Sequence, residues 1–203
     1  MSLLLDNLRY GLKAYVAAFF AYMVLRVDLL FVKYLLGAEE AGYYSIGTSM
    51  ADLIYLLPVV VGTVLFPRLS AMTAQQEKWE YTKKVLWVMA FVSSLLSIVA
   101  IPLANPAVGL LFGTAYLPSV PAFLWLLPGI CSLAVNTILM NYLASIGFPL
   151  IAVYAPGVAM TLNIALNLKW IPSYGIVGAS MASSVSYGLM LLMSLAYVAK
   201  SQR

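Results

Sequence analysis

The sequence has no histidine and a single cysteine among its 203 residues. Without His there is no Ser–His dyad and no His-ligated metal. Cys131 alone can form neither an internal disulfide nor a zinc cluster. Charge is scarce as well: Asp, Glu, Lys and Arg make up 9% of the chain, against about 25% in soluble domains. No GxxxxGK[ST] run is present, so nothing points to ATP hydrolysis. The net charge of +4 is too small to argue for a nucleic-acid partner. These shortages exclude a cytosolic enzyme, a nucleic-acid binder and a disordered tail, and they imply no cofactor and no metal. What is abundant is apolar surface. Hydrophobic residues reach 64%, with a mean hydropathy of +0.97. So few charges cannot cover that surface in water, so the solvent for this chain is lipid.

About 20 apolar residues cross a bilayer as a helix. Six stretches qualify: 14–36, 43–66, 85–104, 120–144, 150–171 and 176–198. The punctuation fits. Gly37 and Gly42 flank Glu39-Glu40, Pro67-Arg68 follows the second stretch, Asn105-Pro106 the third, Gly147-Phe148-Pro149 the fourth and Pro172 the fifth. Continuous rather than alternating hydrophobicity argues against a β-barrel. The expected fold is an all-α integral membrane protein whose six transmembrane helices form one lobe, residues 14–199. Residues 1–13 meet Asp6 and Arg9 too soon for a signal peptide's apolar core. Their Leu4, Leu5, Leu8 and Leu12 predict an amphipathic lead-in on the membrane surface, and residues 200–203 form a short tail. The segment 67–84 is the one long polar stretch, read as a solvated surface helix around Gln75-Gln76-Glu77-Lys78.

Lys and Arg orient the spans. With six spans, Arg9, Lys13, Arg68, Lys78, Lys83, Lys84, Lys200 and Arg203 fall on the side of the termini. Lys33 and Lys169 fall on the other. This asymmetry predicts cytoplasmic termini and a multi-pass protein of the cytoplasmic membrane.

Three ionisable residues lie deep in the spans: Arg26, Asp28 and Asp52. Each costs about 2.5–3.5 kcal/mol at a helix centre, so they face protein or a wet cavity rather than lipid. At 1.5 Å per residue, Arg26 lies about 16 Å from Gly37 and Asp52 about 15 Å from Gly42. Neighbouring antiparallel helices thus carry opposite charges at matched depth. Arg26 and Asp28 are about 200° apart around their helix and cannot share one partner face. Arg26 shares its face with Tyr22 and Lys33. On the second span Ser45, Thr48 or Ser49, Asp52 and Tyr55 form a polar stripe. Two readings stay open: a buried Arg26–Asp52 pair that fixes packing, or a hydrated cavity for an anionic or sugar-bearing substrate. Asn136 and Asn141, and the Asn163/Asn167 pair, can hydrogen-bond across helices or contact a substrate. Gly175, Gly178, Ala179, Ala182 and Ser183 read as a close helix–helix face, and Pro58, Pro128 and Pro156 as bends. The candidate cavity residues are therefore Arg26, Asp28, Asp52, Lys33, Tyr22, Tyr55, Asn136 and Asn141.

With those residues in view, the chain resembles the second half of a lipid-linked oligosaccharide flippase of the multidrug/oligosaccharidyl-lipid/polysaccharide superfamily. The resemblance runs through Leu8-Arg9-Tyr10-Gly11-Leu12, Arg26-Val27-Asp28, residues 37–45 (GAEEAGYYS), Leu65-Phe66-Pro67-Arg68-Leu69-Ser70 and Leu143-Ala144-Ser145-Ile146-Gly147. Its most specific stretch is 163–187, NIALNLKWIPSYGIVGASMASSVSY. It covers roughly residues 8–199, by order and spacing rather than by one decisive motif. It implies a six-helix lobe facing a second six-helix lobe across a central cavity. The partner lobe would come from a second copy or a separate chain, unless the sequence is a truncated product. It implies a membrane-lipid setting and a polyprenyl-pyrophosphate-linked oligosaccharide as substrate, carried between leaflets without enzymatic chemistry. Arg26, with Lys33 nearer the outer edge, matches the basic cavity residues that attract the pyrophosphate. The alternatives are half of a drug or small-molecule exporter of the same superfamily and a non-transporting membrane scaffold. A membrane enzyme would need Asp28 and Asp52 to meet, and no further motif accompanies them.

Overall fold

A computed structural model describes the backbone of residues 2–201 and the side chains of residue 8 and residues 10–201. The side chains of Leu4 and Leu5 in the lead-in, and tail residues 202 and 203, lie outside the described residues. The architecture is all-helical: α1 (Ser2–Leu36), α2 (Ala38–Ala71), α3 (Gln75–Leu111), α4 (Ser119–Ser145) and α5 (Ile151–Ser201), with a 3₁₀ turn at Thr114–Tyr116. Each of the five α-helices is long and apolar enough to cross a membrane. Large apolar side chains such as Leu53, Trp87, Phe91, Leu110 and Leu192 are exposed along them, as a lipid-facing surface requires.

The helix count corrects the expected six, because the fifth and sixth stretches form the single 51-residue element α5. A straight helix of that length would run about 76 Å, far beyond an apolar core of about 30 Å. It is not straight. Gly175 takes φ 60°, ψ −144°, a conformation open essentially to Gly alone. Asn163 donates to Ser183 at 3.3 Å, although twenty residues of straight helix would separate them by about 30 Å. The element therefore folds back on itself at Gly175 without a loop, which is why no gap divides it. Gly37, at φ 100°, turns α1 into α2 in the same one-residue fashion.

The expected breaks at Pro67 and Pro106 are absent, both lying inside helices, whereas the one expected at Pro172 falls three residues later, at Gly175. One proline removes one i→i−4 bond, and packing holds the rest. Within the segment 67–84, residues 75–84 are helical and Gln75, Gln76 and Glu77 are exposed, as the surface-helix reading expects, and they open the long helix α3. Only residues 72–74 leave the helical conformation between α2 and α3. Lys78 is engaged rather than freely solvated, donating from Nζ to the Ser145 carbonyl at 3.0 Å. Together with Tyr10, whose hydroxyl donates to the Ala144 carbonyl at 3.3 Å, it satisfies the end of α4, where carbonyls lack intrahelical partners.

α4 is the central helix, packed by α2, α3 and α5, while α1 packs mainly against α5. Close approach depends on small residues. A Cβ on Gly129 would sit 2.6 Å from Ser184 Cα, and one on Gly178 would collide with the Trp170 carbonyl in the facing arm of α5. Ala179, Ala182 and Ser183 are fully buried along that arm, so the small-residue stripe is a packing face.

Candidate functional site

The two carboxylates on the first helical hairpin have different surroundings. α1 and α2 fold antiparallel about Gly37, which brings Arg26, eleven residues before the turn, to Asp52, fifteen residues after it. Arg26 Nη2 lies 3.0 Å from Asp52 Oδ2, and the two side chains remain 45% and 38% exposed. The expected contact is present, but the matched-depth premise is corrected: α2 begins at Ala38 rather than at Gly42, so the two residues are four positions out of step from the turn. The pair, however, sits on the surface of the described chain instead of inside it. The neighbouring hydroxyls of Ser45, Thr48 and Ser49 donate back to carbonyls of their own helix.

Asp28 points the other way around α1, as its angular offset from Arg26 requires, and is 1% exposed. Its Oδ2 accepts from Tyr44 Oη at 2.6 Å and Ser183 Oγ at 2.8 Å, and its Oδ1 from the Leu29 amide at 2.7 Å. Ser183 in turn accepts from Asn163 Nδ2, and Asn163 Oδ1 accepts from Asn167 Nδ2 at 2.7 Å. One network therefore joins α1, α2 and both arms of α5. Sequence reasoning found Asp28 and the two asparagines but missed Tyr44 and Ser183 as partners. Tyr44 had a usable signal, since Asp28 and Tyr44 bracket Gly37 much as Arg26 and Asp52 do. Ser183 was hidden in the small-residue stripe. Among the described residues no group of three or more His, Cys, Asp or Glu could hold a metal.

Tyr55, Asn136 and Asn141 gather elsewhere, around a cavity of about 310 Å³ between the N-terminal half of α1 and the face of α4. Ala14, Ala17, Ala18 and Ala21 form its α1 wall. Their spacing of three and four places them on one helical face, and their lack of bulk leaves the space open. Leu133, Asn136, Thr137, Met140 and Asn141 line the α4 side, and Tyr55 reaches in from α2. Tyr55 Oη lies 3.1 Å from Thr137 Oγ1, and Asn141 Nδ2 donates to the Thr137 carbonyl at 2.8 Å. Asn136 is 3% exposed, and its Oδ1 has no hydrogen-bond partner among the described residues. Leaving a buried acceptor unpaired costs about 1–3 kcal/mol. Asn167 Oδ1, at the end of the Asp28 network, is also unpaired among the described residues.

The eight candidate residues thus separate into groups. Arg26 and Asp52 pair at the surface, Asp28 anchors the interior, and Tyr55, Asn136 and Asn141 line the cavity. Tyr22 and Lys33 are exposed on α1, outside the cavity lining. The cavity lining includes Leu25 and Tyr55, one residue from Arg26 and one turn from Asp52, but neither member of the ion pair.

The model of a family described as polysaccharide biosynthesis protein matches residues 2–121. The chain belongs to that family. It is 28% identical over 169 residues to the uncharacterized membrane protein MJ1068 of Methanocaldococcus jannaschii, covering 79% of this chain and 32% of that protein. It is 22% identical over 193 residues to the probable low-salt glycan biosynthesis flippase Agl15 of Haloferax volcanii, covering 93% and 41% respectively. It is 23% identical over 182 residues to the probable flippase AglR of the same organism, covering 86% and 38%. The chain therefore spans between about a third and two fifths of the length of these curated relatives. No solved structure matches it. Membership in this family, together with five long apolar helices, makes the chain a multi-pass membrane protein.

Proposed function

We propose that this chain is one lobe of a membrane flippase that carries a lipid-linked oligosaccharide between leaflets, with Arg26 engaging the pyrophosphate. The observation that carries the reading is the half-exposed Arg26–Asp52 pair on the surface of the described chain. Charges at membrane depth are costly against lipid and mark substrate paths. A pair left on the surface of a lobe therefore calls for a wet cavity beside it. The names of Agl15 and AglR support a flippase, and their greater length supports a second lobe on the far side of that cavity. In this reading the two arms of α5 cross the membrane in opposite directions, giving six crossings with cytoplasmic termini. In this reading the chain carries its substrate without covalent chemistry of its own.

The test is export by the assembled transporter, with protein abundance measured alongside. Arg26→Ala should abolish export without lowering abundance, because removing a cation eases insertion. Arg26→Lys should rescue only partly, since an ammonium lacks the planar fork that matches phosphate. Full export by the double variant Arg26→Met with Asp52→Leu would make the pair a packing element and remove the anion-binding role.

A further inference from the structure

Where α2 ends and α3 begins, the basic side chains of Arg68 and Lys84 have no acidic partner among the described residues. We propose that this corner binds an anionic phospholipid of the surrounding bilayer, with Arg68 and Lys84 holding its phosphate and Trp87 lying beside its headgroup. The site is separate from the Arg26–Asp52 pair. Arg68 follows Asp52 by sixteen residues of α2, about 24 Å along the helix. The inference does not depend on what the lobe transports.

Arg68 is exposed yet positioned. Its guanidinium carbon lies 4.5 Å from the centre of the Tyr81 ring, which holds an arginine of α2 against α3 by a cation–π contact. A ring supplies no acceptor oxygen, so the N–H donors of Arg68 stay available to a phosphate, which a guanidinium matches through its planar fork. Lys84 is exposed and follows Tyr81 by three residues, a spacing that puts both on one face of α3. Nearby acids do not cancel these charges. Glu80 is taken by Lys83 at 2.7 Å. Glu77 lies seven residues before Lys84, about 10 Å along α3 on the side away from the apolar run.

The surroundings select a lipid over a soluble anion. Trp87, three residues beyond Lys84, is 77% exposed, and indole rings favour the headgroup level of a bilayer. Deeper in, Val88, Phe91 and Leu95 on α3 and Val60 and Val64 on α2 are exposed apolar side chains. No charged residue occurs between Lys84 and the end of α3 or between Asp52 and Arg68. A phosphate at Arg68 and Lys84 thus has its acyl chains lying on apolar helix faces. The charges also select among lipids. A phosphatidylcholine headgroup brings an ammonium that two uncompensated cations repel, and phosphatidylglycerol brings none.

The experiment uses the full chain in phosphatidylcholine vesicles, with brominated phosphatidylglycerol or brominated phosphatidylcholine added as quencher. The wild-type signal less that of Trp87→Phe isolates Trp87 from Trp79, Trp125 and Trp170. Phosphatidylglycerol should be the preferred neighbour of Trp87. Arg68→Gln and Lys84→Gln should each lower that preference about fivefold, the effect of one basic residue at an anionic surface. Tyr81→Leu should lower it with no charge removed, because Arg68 then loses its support. Lys200→Gln, at an exposed lysine on another helix, should leave it unchanged. Equal quenching by the two lipids overturns the proposal. So does a preference that survives Arg68→Gln and Lys84→Gln together, or one that Lys200→Gln lowers as much, since diffuse surface charge would then explain it. Loss of the preference to inorganic phosphate at constant ionic strength would make the corner a soluble-anion site and overturn the lipid assignment.

Discussion

Replacing Asp28 with Ala should destabilise the chain clearly more than replacing Asp52 with Ala, although both remove one carboxylate from adjoining helices. Asp28→Ala strands the Tyr44 hydroxyl and the Ser183 hydroxyl, on residues with no exposed surface. On the scale of soluble proteins each orphaned group costs about 1–3 kcal/mol. Between transmembrane helices the mean per hydrogen bond is about 0.6 kcal/mol and the maximum about 1.7, because helices separated in the bilayer find other partners. The second scale applies here, and two bonds give about 1–3 kcal/mol. Asp52→Ala breaks a pair whose members are 45% and 38% exposed, and exposed pairs contribute about 0–1 kcal/mol. Reversible unfolding of the purified variants in mixed micelles measures both. Tyr44→Phe offers an internal control. On its own it should cost about half of the Asp28→Ala effect, and on the Asp28→Ala background almost nothing, since the hydroxyl is then already unpaired. Equal losses for Asp28→Ala and Asp52→Ala would refute the division between an interior anchor and a surface pair.

Two further predictions concern the fold. Reporter fusions at Glu40, Gln76, Ala115, Gly147 and Ser173 should read outside, inside, outside, inside and outside, with the C-terminus inside; a Ser173 fusion on the same side as the C-terminus would refute separate crossings by the arms of α5. Gly178→Ala should destabilise by about 1–3 kcal/mol through overpacking, since its methyl meets the Trp170 backbone. Gly188→Ala, with open space around it, should be neutral or better; equal melting of the two variants would show that the arms of α5 do not pack as described.

Much of this arrangement was legible in the sequence because lipid imposes simple rules. Span positions follow from apolar runs, and the Arg26–Asp52 contact follows from opposite charges on adjoining antiparallel helices, although α2 begins four residues earlier than the depth arithmetic assumed. The opposite facing of Arg26 and Asp28 follows from 100° per residue. What was not legible has physical causes too. The merger of two spans into α5 turns on one dihedral angle at Gly175, and Pro172-Ser173-Tyr174-Gly175 reads equally well as a loop. Prolines 67 and 106 were read as stops, yet each sits inside a helix whose remaining bonds and packing hold. The cavity was invisible because it is made of what its walls lack. Four alanines at helical spacing read as packing until the facing helix is known to leave space before them. Asn136 could be named, but its unpaired oxygen could not.

The unequal burial of the two carboxylates bears on how an anion could enter the proposed site. A phosphate arriving at Arg26 must displace Asp52 or share the guanidinium with it. On the arginine the exchange loses no bond, because Asp52 accepts from Nη2 alone and a phosphate can accept from a parallel pair of N–H donors. The cost therefore falls on the released Asp52 carboxylate. Were Asp52 buried as Asp28 is, its release would strand a desolvated charge, a penalty of several kcal/mol. At 38% exposure it can turn to water instead. Meanwhile Asp28 keeps α1 tied to α2 through Tyr44 and to α5 through Ser183, so the lobe need not loosen while Arg26 changes partners. One helix thus presents a charge that is free to exchange and, two residues on, a charge that is not. Burial, rather than residue type, decides which is which.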